Sequence, residues 1–339
     1  MAVAGVLAVV NSADAVAAGG APNYHQTKEI SPPGDDGWDY SAYDRSTHQL
    51  FVTHGTRVHA VDGNTLAVTG AVADLQGVHG VAIAPELKRG YISDGRADSV
   101  VVFDLKTLAR VATIKTTGTN PDAILYEPVS KRVFTFNGRG KNVTAIDAAK
   151  NEVVGTIAVD AKPEFAVTDG AGHVFVNLED KNSVAVIDPE KLTVVSTWAL
   201  DGCDSPSGLA IDAAHHRLFS VCENKVMTIV DSTTGRVVTH VPIGARVDAA
   251  AYDPGTHLAF ASCGDGTLTV VSERSPDEFG VVQTVTTRAG ARTMALDPQT
   301  HRVFLPTAKF GPPPAATEGQ PRPRPTLEPG SFTVLVFEP

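Results

Sequence analysis

Seven residues recur at nearly equal intervals along this chain, and six of them can ionise: Asp39, His79, Asp122, Glu164, Ser207, Asp248 and Arg292. The steps between them are 40, 43, 42, 43, 41 and 44 residues. Four carboxylates, one imidazole and one guanidinium at one period imply a ring of charge if the chain repeats around an axis. Crowded carboxylates repel one another, so such a ring needs a cation, a proton or the Arg292 guanidinium for compensation. Mixed His and carboxylate groups in a concavity suit a divalent metal ion or a small polar ligand. Of these residues, Asp39, His79, Asp122, Glu164 and Asp248 are the candidate metal ligands, and His54 is a candidate to join His79 from the neighbouring unit. Loops on the same face add Glu179, and Trp38 stands one residue before the ring.

The elements that must position this ring are legible as repeats. An aromatic recurs just inside a β-rich run at Phe51, Tyr91, Phe134, Phe175, Phe219, Phe260 and Phe304. Each opens a similar word, such as FVTHG, YISDG, FTFNG or FASCG. A β-branched run follows and usually ends in Asp: Asp62, Asp104, Asp147, Asp188 and Asp231, with Ser272 substituting in the sixth unit. These Asp residues read as Asx-turns that tie down the next turn, so they are set apart from the site. The aromatics read as core between units. Each unit carries four short strands separated by turn residues. A period of 40–45 residues with four strands per unit predicts an all-β, seven-bladed β-propeller. The last unit ends one strand short, and a spare strand lies at about Tyr24–Ile30. The economical arrangement has that N-terminal strand complete blade seven and close the ring.

The words YISDG, FTFNG and VAVID, with TGRVVTHV after a strand-ending Asp, resemble the YVTN-repeat β-propellers of the YncE-like group. The resemblance spans about residues 24–339. It implies the propeller fold and an exported protein. Related propellers carry redox cofactors and some members have been linked to DNA, but this chain has no C-x-x-C-H haem attachment and none of the His richness of a multi-copper centre.

Composition bounds the partners. The formal charge of −10, with no run of Lys and Arg, argues against nucleic acid, which needs a basic face to displace counterions. Residues 1–22 read as the remnant of a secretory signal peptide or as a disordered Ala-rich tail, because Val3–Val10 is too short to span a bilayer and is followed by A-x-A spacings. No later run could cross a membrane. Residues 23–339 read as one propeller domain, periplasmic or secreted. Cys203 and Cys222 fall at neighbouring strand ends of blade five, which makes a disulfide sensible and agrees with an oxidising compartment. Cys263 is left unpaired.

Residues 309–330 interrupt blade seven with seven Pro residues. Pro-rich chain favours extended polyproline conformation and loses little entropy on ordering. The segment reads as a lid across the mouth, a docking strip for a partner, or a surface insertion. Three functions remain open. The first is an exported binding module that captures a small polar ligand, a metal ion or a protein partner at the channel mouth. The second is a metal-assisted hydrolase or lyase, with His79 or Glu164 as general base and Arg292 holding an anionic substrate group. The third is a redox accessory protein.

Overall fold

The computed structural model describes residues 23–313 and 325–339, so the signal-peptide reading of residues 1–22 and the middle of the Pro-rich segment, Arg322 and Arg324 included, lie outside the described residues. The described chain forms seven four-stranded antiparallel sheets. Blades one to six are sequential, from the inner strand Trp38–Asp44 of blade one to the outer strand Glu278–Thr286 of blade six. Blade seven is composite. Its inner strand is only Ala295–Asp297, followed by Arg302–Thr307 and Thr333–Glu338, and its outer strand is His25–Ile30 from the start of the chain. The seven-bladed propeller and its N-terminal closing strand are therefore as the repeat implies.

Alternation explains the packing. In the second and third strands of each blade nearly every side chain is buried, because both faces of the sheet pack against neighbouring blades. Phe51, Tyr91, Phe134, Phe175, Phe219, Phe260 and Phe304 are all almost wholly buried. Outer strands alternate half-buried and exposed positions, as in Glu152–Ala158 and Thr193–Ala199, because one face meets solvent. The third-strand Asp residues behave as local ties. Asp104 Oδ1, for example, accepts from the N–H of Lys106 at 3.0 Å and of Thr107 at 2.8 Å. Asp62, Asp147, Asp188 and Asp231 do the same in their own turns.

A disulfide joins Cys203, in the loop entering blade five, to Cys222 at the end of that blade's second strand, and Cys263 is a buried free thiol. Among the described residues no helix is long and apolar enough to cross a membrane.

The described ends of the Pro-rich segment form a short two-stranded stub. Phe310 bridges Leu327, and Gly311 donates its N–H to Thr326 O at 2.9 Å. Phe310 lies against Trp38, with ring centroids 6.0 Å apart, and covers Gly290, where a Cβ would meet the Phe310 ring at 2.4 Å.

Ring closure should dominate stability, because removing the outer strand of blade seven exposes the backbone edge of Thr333–Glu338. A chain lacking residues 1–30 is expected to melt at lower temperature and to self-associate with rising concentration in light scattering. An unchanged midpoint and a monodisperse profile would show that closure does not carry the ring.

Candidate functional site

Each of the first six inner strands breaks register just after its first paired residue. In blade one the pairing steps from Trp38 opposite His54 to Ser41 opposite Val52, and in blade two from Val78 opposite Asp94 to Val81 opposite Ile92. The residues released by these bulges include Asp39, His79, Asp122, Glu164, Ser207 and Asp248. A bulge bends its strand and re-aims a side chain, and here it turns six side chains toward the channel. The carbonyls of three bulged residues, and that of Arg292 at the matching place in blade seven, accept from a side chain of the preceding blade. Ser93 Oγ donates to Asp122 O, Asn177 Nδ2 to Ser207 O, Ser262 Oγ to Arg292 O and Thr293 Oγ1 to Asp39 O. Neighbouring blades are thereby locked together at the height of the ring.

The ring divides into three charge-paired groups. His79 Nδ1 lies 2.7 Å from Asp39 Oδ2 and 3.5 Å from Asp122 Oδ1. Its imidazole is backed by Gly95, where a Cβ would stand 2.6 Å from Nε2, so a larger residue there would push the ring into the channel. Arg292 Nη1 is 2.9 Å from Asp248 Oδ2. Lys162 Nζ is 2.5 Å from Glu164 Oε1 and also pairs with Glu179. Ser207, the neutral member, turns its hydroxyl to Val247 O at 3.3 Å.

Below the ring the channel is plugged. The rings of Tyr40 and Phe165, from blades one and four, meet edge to face with centroids 5.0 Å apart, and the Tyr40 hydroxyl lies 3.5 Å from Glu164 Oε2. Beyond this plug is a cavity of about 460 Å³ lined by aliphatic residues such as Val81, Ile124, Val167, Leu209 and Ala250 together with polar ones such as Ser41, Arg45 and Thr168. The charged mouth is thus set apart from the rest of the channel.

Burial and crowding shift the titrations. Burial opposes the charged form of His79, but the Asp39 hydrogen bond and the fields of Asp122, Asp39 and Glu164 outweigh it and bring its pKa to about 8. Burial raises Asp248 to about 6, with Arg292 opposing and Asp39 and Asp122 adding to the rise. Burial likewise raises Asp122, although His79 pulls against it. Glu164 is raised by burial and by its hydrogen bond with Glu179, while Glu179 is held low despite burial by that same bond and by Lys162. Glu164 therefore carries the proton of this pair.

Two of the candidates sit elsewhere. His54 does not join His79. As the last residue of its strand it is fully buried behind the mouth, stacked on Phe332 at 3.8 Å, with Nε2 on Asp36 O at 2.8 Å and Nδ1 on His59 Nε2 at 3.2 Å. Burial lowers its pKa, so it is a neutral packing residue. Trp38 lies under the Pro-rich stub rather than in the channel, packed on Phe310 and Phe332. Tyr40, conversely, was not singled out by the sequence reading. Its signal is a large aromatic directly after a ring residue, where blades two, three, five and six have Gly80, Ala123, Gly208 and Ala249. The loop acid Asp94 faces backbone rather than the channel, accepting from the N–H of Gln76 and Gly77.

The family described as "Domain of unknown function (DUF5074)" matches residues 47–243, more than half of the chain. The chain belongs to this family. It is also a YncE-like propeller: it is 23% identical over 210 residues to the "Uncharacterized protein YncE" of Salmonella typhi, covering 61% of this chain and 47% of that protein. A shorter match, 38% identical over 63 residues, is to "Antigen Lp49" of Leptospira interrogans, covering 19% of this chain and 14% of that protein. The matched stretches thus span less than half of these curated relatives. Among solved structures, a chain of Kuenenia stuttgartiensis hydrazine synthase superposes with a TM-score of 0.69 at 19% identity, covering 80% of this chain and 92% of that one. A chain of the mitotic checkpoint complex gives a TM-score of 0.76 at 12% identity, covering 100% of this chain and 98% of that one. At these identities the likeness shows the shared propeller fold.

The ring carries a definite pH signature. His79 gains its partner on folding, so its contribution is complete below its unfolded value of 6.5 and is lost as pH rises through about 8. Glu164, whose folded pKa is raised, costs stability as pH climbs above its unfolded value of 4.5. Both act in one direction, so the unfolding midpoint is expected to fall between about pH 6 and about pH 9. Glu164→Gln should flatten part of that slope. A midpoint that rises over this window, or a slope untouched by Glu164→Gln, would contradict the arrangement.

Proposed function

We propose that this chain is an exported β-propeller binding module whose channel mouth captures a small polar ligand through a cationic group. One observation carries the reading. Four carboxylates converge on the mouth, those of Asp39, Asp122, Glu179 and Asp248, beside the protonated Glu164, against three cations, His79, Lys162 and Arg292, each already engaged by an acidic side chain. The mouth is short of positive charge, and a ligand that brings an ammonium group or a metal ion would offset the burial that, with Asp39 adding to it, holds Asp122 and Asp248 high.

The Asp39, His79 and Asp122 group could hold a divalent ion, because one donor atom from each lies within 4.8 Å of the others. That ion would have to displace the proton His79 Nδ1 shares with Asp39, so an organic cation, which keeps the pair intact, fits the resting geometry better. The Tyr40 and Phe165 plug supports a ligand seated at the mouth rather than passing through it. The Cys203–Cys222 disulfide supports export, since such bonds persist in oxidising compartments.

Titration calorimetry of the full chain against a diamine, and separately against calcium chloride, tests the reading. One-site binding is expected with at least one probe, weakened roughly tenfold by Asp122→Asn or Asp248→Asn, each a loss of about 1.4 kcal/mol. Binding should also weaken as pH falls through about 6, where Asp248 takes up a proton. Binding indifferent to both substitutions, or none with either probe, would sink the proposal.

A further inference from the structure

A second cluster of ligating groups lies between blades five and six, at the channel end opposite the charged ring. It gathers Asp212, at the end of the blade-five inner strand, and His215 in the turn that follows. Blade six supplies Tyr252, His257 and Glu273. His215 Nδ1 is 2.7 Å from Asp212 Oδ2 and 3.3 Å from Glu273 Oε1. The Tyr252 hydroxyl is 3.0 Å from Asp212 Oδ2, 2.5 Å from Glu273 Oε2 and 3.2 Å from His257 Nδ1. The two imidazoles stack with centroids 5.9 Å apart.

This cluster exists because blade six departs from the repeat. Where blades one to five end the third strand on a half-buried Asx-turn Asp, blade six has Ser272 and the strand continues to Ser275. Glu273 is thereby held inside the ladder, opposite Phe279, and its side chain is only 1% exposed. A carboxylate in that position is costly unless its oxygens are satisfied. Glu273 Oε2 has the Tyr252 hydroxyl. Glu273 Oε1 is buried and accepts no hydrogen bond, since the His215 nitrogen near it lies off hydrogen-bonding geometry.

A simple His–Asp link between blades needs none of this. Between blades six and seven His301 Nδ1 meets Asp253 Oδ2 at 2.6 Å, and no buried Glu joins them. The additional imidazole and the additional buried carboxylate between blades five and six exceed what a latch requires.

We infer that His215, His257 and Glu273 form a binding site for a borderline divalent transition metal ion such as Zn²⁺, with Asp212 and Tyr252 orienting the ligands from behind. One donor atom from each of the three lies within 4.8 Å of the others. Tetrahedral zinc with bonds of about 2.0–2.2 Å needs donors roughly 3.4 Å apart. The required contraction is a matter of turning two imidazoles that stand at the surface, His257 exposed and His215 half-exposed, over a fixed Glu273. Two His and one Glu leave a fourth position open to water, which is the ligand set and vacancy of a zinc ion that can also act as a Lewis acid. Asp212 beside His215 is the carboxylate–histidine arrangement that fixes a ligating imidazole.

The test is zinc binding to the full chain after chelator treatment and dialysis, followed by calorimetry and by the visible spectrum of the cobalt-substituted protein. One equivalent is expected to bind with the intense absorption of tetrahedral cobalt. His257→Gln and His215→Gln should each weaken that binding roughly tenfold or more. Asp122→Asn at the channel mouth should leave it intact, which separates this site from the one proposed there. His257 is exposed, so its variant keeps the fold, and an unchanged unfolding midpoint of the metal-free chain checks this. Glu273→Gln is a further variant, used only if it folds. Absence of stoichiometric zinc, or zinc binding unaltered by His257→Gln, would overturn the inference.

Discussion

The pairing of His25–Ile30 with Thr333–Glu338 is the contact on which the rest of this molecule depends. A propeller blade buries both faces of its middle strands only against its two neighbours. One open seam would expose the flanks of blades seven and one, and with them the apolar cluster built from Leu50, Val52 and Val61 on one side and Phe304, Phe332 and Val334 on the other. Closing the ring with a strand from the other end of the chain makes the last contact intramolecular and leaves no inter-blade flank to solvent.

Closure also forces seven inner strands to the same radius, and the mouth chemistry follows from that. Residues about forty positions apart become neighbours around the channel, whatever their charges. Register breaks at the start of six strands turn Asp39, His79, Asp122, Glu164, Ser207 and Asp248 inward, and hydroxyls and an amide from preceding blades hold the released carbonyls. The crowding is tolerated because each cation lies beside a carboxylate and Glu164 keeps a proton. What remains is a concentrated excess of acid over an aromatic floor.

The two ends of the channel axis are built on different logic. At the mouth, charge is gathered by symmetry, one group per blade. At the other end the His215, His257 and Glu273 cluster appears where symmetry fails, in the blade whose third strand overruns its turn. Departures from a repeat are where a propeller can place a group the common plan excludes, and Glu273 is such a group.

From sequence alone the seven blades, the closing strand and the positions of the ring were determined, because a fixed period with strand-length β-branched runs leaves one economical way to bury the recurrent aromatics. The pairing of ring members was not. His79 meets Asp39 and Asp122 because blades one, two and three adjoin at one height, a relation set by ring geometry. His54 illustrates the limit: adjacent in blade order to His79, it was a reasonable partner, yet the strand end on which it sits turns it onto Phe332 and His59. The cluster of His215, His257 and Glu273 was also hidden, since turn histidines look alike in sequence. Only packing between blades five and six decides that one buried carboxylate faces them, because contacts across a blade interface depend on twist and strand length, which the repeat period does not encode.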